Sequence, residues 1–206
     1  MIINYILTIY ILALQLKEID YEYKAVHLVK NGGEQHMQDY RAINPMEQVP
    51  ALDLGNGQVI TQSLAIMEYL EEQYTGKCPL FPNDNLQRAR VREISEAINA
   101  GTQPLQNLSV INKYSVDAGA RKEWSQFWIE KGLKVVESLL ATSAGDYCVG
   151  NQISMADCCL VPQVYNANRF GVDMSQFPII NRILQLLEKN EAFIAAHPDT
   201  QPDKPE

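Results

Sequence analysis

The segment NPMEQVPAL (residues 44–52) decides how the first half of the chain is expected to fold. It leads into a β-hairpin, because the strand pattern VPALDL is followed by the turn GNG and a second strand pattern, QVI. A cis bond between Val49 and Pro50 would turn the backbone of Val49 outward. A strand edge exposed in this way can pair its N–H and C=O with the backbone of a peptide ligand.

The segments around this hairpin alternate between helix and strand patterns. Residues 21–29 (YEYKAVHLV) predict a strand, and residues 33–44 predict a short helix. Residues 61–74 (TQSLAIMEYLEEQY) predict a helix with one buried face, formed by Ser63, Ile66, Met67, Leu70 and Tyr74. Together with a first helix at residues 8–16, this order predicts a thioredoxin-like α/β domain whose first strand is lost or altered.

Strand patterns disappear from the second half of the chain. A long helix is expected where apolar or small residues recur at gaps of three and four, at Val91, Ile94, Ile98, Gly101, Leu105 and Leu108. Further amphipathic stretches cover residues 122–140, 155–169 and 179–195. The second half is therefore expected to be all-helical.

These patterns divide the chain into four parts. Residues 1–74 are expected to form the α/β domain and residues 86–196 the helical domain. Residues 75–85 (TGKCPLFPNDN) contain two prolines and a glycine, which is typical of a linker. Residues 197–206 are rich in proline and charge, so we expect a disordered tail.

Charge and composition exclude several classes of partner. The 206 residues include 17 basic and 25 acidic side chains, a net charge of -8, which disfavours nucleic acid and anionic membranes. No metal site is expected, because the cysteines and histidines show no ligand spacing: Cys78, Cys148, Cys158, Cys159, His27, His36 and His197. Adjacent Cys158 and Cys159 are interpreted as small buried hydrophobic residues, which suits a reducing, cytoplasmic compartment.

The apolar stretch at residues 2–14 precedes the first basic residue, Lys17. A secretory signal would need a basic segment before it and a small-residue cleavage site after it. A membrane span would need about 20 apolar residues. We therefore expect this stretch to be buried in protein.

Two helix starts carry polar motifs. Ser154 and Asp157 have the spacing of a capping box, in which each side chain bonds the other residue's backbone N–H, and we interpret them as a stabilising device. Gln62 and Ser63 begin another predicted helix, where free N–H groups and the helix dipole favour a carboxylate. Taken alone, Ser63 is more simply explained as an ordinary helix cap.

Five segments together resemble the zeta-class glutathione transferases, the maleylacetoacetate isomerases of phenylalanine and tyrosine breakdown. They are NPMEQVPAL, TQSLAIMEYLEE, TQPLQNLSV, YCVGNQISMADCCLVPQVYNANRFGVD and HPDTQPDKP, and the resemblance runs from about Ala13 to Glu206. It implies glutathione as cofactor, a site between the two domains, a homodimer and transferase side activity.

The resemblance also implies roles for individual residues. The Val49 backbone before Pro50 would pair with the cysteinyl part of glutathione, and Gln62 and Ser63 would hold its γ-glutamyl carboxylate. Gln35 would lie near the glycyl end. Further contacts from the helical domain are implied at Gln103, Asn107, Leu108 and Ser109.

Arg169 resembles a basic residue that lines the substrate pocket. There it could pair with a carboxylate of maleylacetoacetate. A surface arginine that complements the end of a helix is an equally good interpretation of the sequence.

The implied chemistry is a cis-trans isomerisation that yields fumarylacetoacetate. Similar proteins lower the thiol pKa with a serine in a Ser-Ser-Cys loop. This chain has Asn4, Tyr5 and Ile6 where that loop is expected. We interpret residues 1–7 as a replacement for the missing segment, from an alternative start, a splice form or a wrongly assigned start.

Three hypotheses follow from this departure. The first is a working isomerase in which Tyr5, Thr8 or Tyr10 supplies the hydrogen bond to the thiolate. The second is a non-catalytic glutathione-binding subunit. The third is a membrane-associating protein with a detachable apolar leader, which the sequence disfavours because that stretch is too short to span and has no basic face.

Overall fold

The computed structural model describes residues 5–201, apart from the side chains of residues 5–7, 31 and 199. The first part of this range contains α1 (Tyr5–Leu16), α2 (Gln38–Ile43), β1 (Ala51–Asp53), β2 (Val59–Thr61) and α3 (Ser63–Gln73). The remainder contains α4 (Asn85–Asn99), α5 (Leu108–Tyr114), α6 (Ala118–Ser143), α7 (Met155–Phe170), α8 (Pro178–Leu187) and α9 (Glu191–Ala195). Short 3-10 turns lie at Lys30–Gly32, Glu34–His36, Gln103–Gln106, Met174–Gln176 and Pro198–Thr200.

The chain divides into two compact units whose bounds differ from the predicted domains. The first comprises residues 5–78 and 191–201 of the described chain, and the second comprises residues 79–190. The short helix α9 joins the first unit because it packs against α1. Leu80 and Phe81 of the predicted linker are buried, and the Leu80 carbonyl accepts a 2.9 Å hydrogen bond from Met155 N–H in the second unit.

The first unit contains the predicted β-hairpin. Strands β1 and β2 pair antiparallel, with Ala51 opposite Thr61 and Asp53 opposite Val59, which confirms the hairpin prediction. Helix α1 packs against α3. The apolar residues of α1 are buried on all sides, at Ile9, Ile11, Leu12, Ala13 and Leu14. The described part of the opening stretch therefore packs in the core, as predicted.

The strand predicted at residues 21–29 does not form. A strand needs a neighbour to satisfy its N–H and C=O groups, and the described sheet consists of β1 and β2 alone. The helix predicted at residues 33–44 divides into a 3-10 turn and α2. Tyr74, predicted on the buried face of α3, lies just beyond the helix and is exposed.

The long helix predicted from residue 91 to residue 108 is also wrong. Helix α4 ends at Asn99, and a 3-10 turn at Gln103–Gln106 separates it from α5. Pro104 has no N–H to continue an α-helix, and its ring would clash with the carbonyl four residues earlier. Thr102, just before the turn, packs tightly on α6: a Cβ atom at Gly132 would lie 2.0 Å from Thr102 Oγ1.

The other helices of the second unit follow their sequence patterns more closely. Residues 122–140 lie in α6 and residues 155–169 in α7, as predicted, whereas residues 179–195 form two helices, α8 and α9. Helix α7 ends at Gly171, whose φ of 76° suits a residue without a side chain. The core includes Val91, Ile94, Ile98, Ile129, Leu133, Val136, Leu140, Leu160, Ile180 and Ile183.

Helix α7 begins with the predicted capping box. Asp157 is 0% exposed, and its Oδ2 accepts hydrogen bonds from the N–H and the hydroxyl of Ser154, both at 2.8 Å. Its Oδ1 accepts a third bond, from Cys148 N–H at 2.9 Å. Burial raises the pKa of Asp157, and the hydrogen bonds from Cys148 and Ser154 partly offset this effect.

The cysteines of the second unit are buried and reduced. Cys148, Cys158 and Cys159 are each fully covered, which confirms their interpretation as small buried residues. Burial raises the pKa of Cys159 to about 12 and that of Cys148 well above its usual range. These thiols therefore stay protonated near neutral pH.

The beginning of the predicted tail is folded. Residues 197–201, expected to be disordered, contain a 3-10 turn in which Thr200 Oγ1 donates to the Ala195 and His197 carbonyls at 3.0 and 2.7 Å. The rest of the predicted tail lies outside the described residues.

Across residues 5–201, no helix is long and apolar enough to cross a bilayer, and no metal-binding group of His, Cys, Asp or Glu is found.

Candidate active site

The backbone of Val49 lies just before β1, at the beginning of the hairpin. The peptide bond between Val49 and Pro50 is cis, as predicted. Among the described residues, none hydrogen-bonds the N–H or the C=O of Val49. Because buried backbone groups are nearly always paired, an unpaired N–H and C=O on a residue only 8% exposed are suited to a ligand's peptide group.

Helix α3 begins next to this loop without a side-chain cap. Gln62 occupies the N-cap position and makes no capping hydrogen bond, and Ser63 is the first helical residue. The simple interpretation of Ser63 as a cap is therefore wrong. Among the described residues its hydroxyl has no hydrogen-bond partner. The first turn of α3 thus keeps N–H groups and a hydroxyl that can bind an anion.

Gln62 connects this helix start to the hairpin loop. Its side-chain amide donates to Met46 Sδ at 3.1 Å. Its backbone has a φ of 75°, in the left-handed region that favours glycine. Such a conformation costs about 1 to 3 kcal/mol and is found most often at functional sites.

Gln35 lies in the 3-10 turn Glu34–His36 and is buried. Its Nε2 donates to the Leu28 carbonyl at 3.2 Å. Its Oε1 is buried and has no partner in the described part of the chain. The Gln35 side chain packs against the backbone of Gly33, where a Cβ atom would lie 2.6 Å from Gln35 Nε2. An unsatisfied buried acceptor is a candidate contact for a ligand N–H.

An ionic cluster joins the turn of Gln35 to the loop of Val49. The Glu47 carboxylate contacts His36 Nδ1 and accepts from Arg41 Nε at 2.9 Å. The hydrogen bond with His36, followed by the charge of Arg41, holds the pKa of Glu47 below its usual range. Glu47 therefore links the turn of Gln35 to the loop of Val49.

The four candidate residues of the helical unit lie on one junction between the 3-10 turn and α5. Asn107 caps α5, and its Oδ1 accepts from Ser109 N–H at 3.1 Å and from the Ser109 hydroxyl at 2.9 Å. Gln103 and Leu108 are partly buried, and Ser109 is exposed. The sequence segment TQPLQNLSV thus forms a compact polar corner.

Comparison with known proteins identifies the family. The family described as "Glutathione S-transferase, N-terminal domain" matches residues 10–73, and "Glutathione S-transferase, C-terminal domain" matches residues 107–197. A curated relative from Drosophila melanogaster, "Probable maleylacetoacetate isomerase 2", is 56% identical over 194 residues, covering 94% of this chain and 84% of the relative. The chain belongs to the glutathione S-transferase family.

Two solved structures assign this glutathione transferase to the zeta class and confirm the predicted two-part fold. Maleylacetoacetate isomerase from Anaeromyxobacter dehalogenans 2CP-1, solved with GSH in its active site, is 40% identical with a TM-score of 0.86, covering 96% of this chain and 92% of that chain. A bacterial maleylpyruvate isomerase, a zeta-class glutathione transferase, is 38% identical with a TM-score of 0.91, covering 96% of this chain and 94% of that chain.

The candidate contact for the substrate is exposed, whereas the candidate hydroxyl donors to the thiolate lie in α1. Arg169 is exposed in the last turn of α7, a position that its helix-end interpretation also explains. Thr8 is buried within α1, at 4% exposure, and Tyr10 is partly buried in the same helix. The side chain of Tyr5 lies outside the described residues.

Sequence reasoning missed a buried amide network in this glutathione transferase. Gln106 Nε2 donates to Gln163 Oε1 at 2.7 Å, and Asn166 Nδ2 contacts Gln106 Oε1. Nearby, Trp124 Nε1 donates to the Leu105 carbonyl at 2.7 Å. These bonds fasten the turn Gln103–Gln106 to α6 and α7. Two amides three residues apart on the buried side of α7 were the signal in the sequence.

Proposed function

We propose that this protein binds glutathione and uses its thiolate to isomerise maleylacetoacetate, or a similar small unsaturated diacid such as maleylpyruvate. The observation that carries the proposal is the backbone of Val49, which has no partner among the described residues, beside the uncapped start of α3. Gln62 and Met46 bring these two features into contact. The names of the relatives and the GSH bound in one of them support the same conclusion.

The proposed binding mode matches each part of glutathione to a group of complementary chemistry. Val49 N–H and C=O pair with the cysteinyl backbone, and the first turn of α3 with Ser63 holds the γ-glutamyl carboxylate. Gln35 Oε1 accepts a hydrogen bond near the glycyl end. The helical unit adds contacts from Gln103, Asn107, Leu108 and Ser109.

The proposed reaction proceeds by addition and elimination. The glutathione thiolate adds to the carbon-carbon double bond of the substrate, giving an enolate in which the former double bond is single. Rotation about that bond and loss of the thiolate restore the double bond in the trans form, with glutathione regenerated. Arg169 is proposed to pair with a substrate carboxylate. A hydroxyl from Tyr5, Thr8 or Tyr10 stabilises the thiolate.

The proposal includes a homodimer and a cytoplasmic location. The four free cysteines of the described chain suit a reducing compartment, in which disulfides are rare.

A second candidate function is glutathione binding without catalysis. It is favoured by the burial of Thr8 within α1. A buried hydroxyl inside a helix has limited access to a ligand thiol.

The test is glutathione-dependent isomerisation of maleylacetoacetate by the purified chain, beside a version with a Ser-Ser-Cys leader. Turnover by both supports the isomerase, and Tyr5→Phe, Thr8→Val and Tyr10→Phe then identify the hydroxyl. If only the extended version turns over while both bind glutathione in calorimetry, the second candidate is correct. Failure of both to bind glutathione contradicts the whole proposal.

A further inference from the structure

The carbonyl oxygen of Gln48 accepts two side-chain hydrogen bonds. Asn44 Nδ2 donates to it at 2.6 Å, and Tyr40 Oη donates to it at 2.8 Å. Gln48 immediately precedes Val49, whose N–H is proposed to bind glutathione. The two donors therefore act on the peptide unit that contains this N–H.

Peptide geometry turns these bonds into a constraint on Val49. The C=O of Gln48 and the N–H of Val49 belong to one planar unit, and this peptide bond is trans, since the cis bond found in the described chain is the next one. In a trans unit the C=O and the N–H point in opposite directions. Two donors that hold the carbonyl on one side thus direct the N–H to the other side.

Asn44 is itself held firmly. Its side chain is almost fully buried, and its Oδ1 accepts from Met46 N–H at 3.0 Å. Its backbone N–H donates to the Tyr40 carbonyl at 2.8 Å, and its carbonyl accepts from Glu47 N–H at 2.9 Å. Both side-chain polar atoms of Asn44 are therefore engaged inside one short loop. Any rotation of the Gln48 carbonyl would leave a buried amide donor unpaired, which is costly.

Tyr40 remains a donor over a wide pH range. Burial raises the pKa of its hydroxyl to about 12, an effect that the hydrogen bond with Asn44 partly offsets. The hydroxyl consequently keeps its proton, and its role as a donor, near neutral pH.

We propose that Asn44 and Tyr40 are positioning residues for glutathione, because they clamp the Gln48 carbonyl and thereby aim the Val49 N–H at the cysteinyl carbonyl of the tripeptide. This inference rests on the proposed function. Neither residue touches the ligand. The clamp fixes the direction of the donor before binding, so less order has to be created when glutathione binds.

The experiment removes the two donors separately. Tyr40→Phe deletes one donor and keeps the ring, whereas Asn44→Asp keeps the acceptor for Met46 N–H and replaces the donor with an oxygen that repels the carbonyl. Tyr21→Phe is the matched control, because Tyr21 is also partly buried in the first unit and its hydroxyl makes one side-chain bond, from Gln15 Nε2 at 3.1 Å. Calorimetry with glutathione and S-methylglutathione gives the Kd.

We expect a graded loss of affinity. Loss of one hydrogen bond is worth about 1 kcal/mol, so Tyr40→Phe should raise both Kd values about fivefold and Asn44→Asp about tenfold or more. Tyr21→Phe should leave them unchanged. For a turning-over enzyme, KM for glutathione rises with kcat nearly constant, since the thiol itself is not contacted.

A second readout separates positioning from general loss of structure. The Val49 amide resonance of the isotope-labelled, ligand-free protein should shift or broaden in Tyr40→Phe and stay in place in Tyr21→Phe. Unchanged Kd values in Tyr40→Phe, or equal losses in Tyr40→Phe and Tyr21→Phe, would overturn the inference, even if Asn44→Asp fails to fold. A parent protein that binds no glutathione contradicts the proposed function instead.

Discussion

The starts of helices α3 and α7 differ in how their backbone donors are used. At α7, Asp157 and Ser154 form a complete capping box, and Asp157 also accepts from Cys148 N–H. At α3, the N-cap residue Gln62 makes no capping bond and has a left-handed backbone, and the Ser63 hydroxyl has no described partner. One helix start is closed by the protein's own side chains, and the other is open.

This difference separates a structural motif from a binding motif. A closed start satisfies its donors internally, so it stabilises the fold and has nothing left for a ligand. An open start loses that stabilisation and keeps its N–H groups and dipole available for an anion. Substitutions at α7 should therefore change the stability of the protein, and substitutions at the start of α3 should chiefly change its affinity for glutathione.

The largest effect is expected from Asp157→Ala. It removes the acceptor of three hydrogen bonds and leaves buried donors of Ser154 and Cys148 unpaired, which should lower the free energy of unfolding by about 3 kcal/mol. Urea unfolding measures this loss. The control is Asp84→Ala, which removes the exposed cap of α4, a 2.9 Å bond from Gln87 N–H, and should cost about 1 kcal/mol. Equal losses in both variants would contradict the special role of the closed start.

The next largest effect is expected at the C-terminal end of α3, which Lys17 fastens. The Lys17 side chain is 0% exposed, and its Nζ contacts Glu71 Oε2 at 2.7 Å and donates to the Tyr74 carbonyl at 2.9 Å. Lys17→Met should lower the free energy of unfolding by about 2 kcal/mol, because it leaves Glu71 without its buried cation.

The control for Lys17→Met is Lys77→Met. Lys77 pairs with Glu18 on the surface, where ion pairs contribute little, so this variant should change stability by less than about 0.5 kcal/mol. A Lys17→Met protein as stable as the Lys77→Met protein would show that α3 does not depend on its C-terminal anchor.

Local patterns predicted the parts of the fold that depend on local interactions. The hairpin, α7 and the capping box all follow from residues close together in the chain. The strand at residues 21–29 was wrong because a strand depends on a neighbour distant in sequence. The prediction of one long helix was wrong because Pro104 interrupts the helix although the apolar spacing continues past it.

The candidate site was predictable to a lesser extent. Gln62 and Ser63 could be identified as a helix start with binding potential, and the backbone of Val49 as a candidate ligand contact, although Val49 is buried and precedes the strand. The role of Asn44 could not, because its bond to the Gln48 carbonyl depends on how the loop folds back on itself. The spacing of Gln163 and Asn166 is visible in the sequence, but their partner is not, because Gln106 is about sixty residues away.

At the open start of α3, Ser63→Ala should reduce the affinity for glutathione and leave the stability of the protein nearly unchanged. Under the proposed function, loss of a hydroxyl bond to the γ-glutamyl carboxylate should raise the Kd for glutathione about tenfold. The free energy of unfolding should change by less than about 0.5 kcal/mol, because the hydroxyl bonds no described group. Calorimetry and urea unfolding measure the two quantities. A stability loss as large as that of Asp84→Ala would return Ser63 to the role of an ordinary cap.

The smallest effect, and the sharpest for the comparison, is expected from Gln62→Gly. Glycine adopts a φ of 75° without strain, which should stabilise the folded protein. Glycine also loses more backbone entropy on folding, so the net gain in the free energy of unfolding should be about 0.5 kcal/mol. It also loses the amide that contacts Met46, so glutathione affinity should fall a few-fold. Gln58→Gly in the exposed hairpin turn, where φ is not positive, should only lose stability. Opposite changes in stability and affinity at Gln62 would show that strain is retained there for binding, whereas a destabilised Gln62→Gly protein would show that the left-handed residue supports the fold.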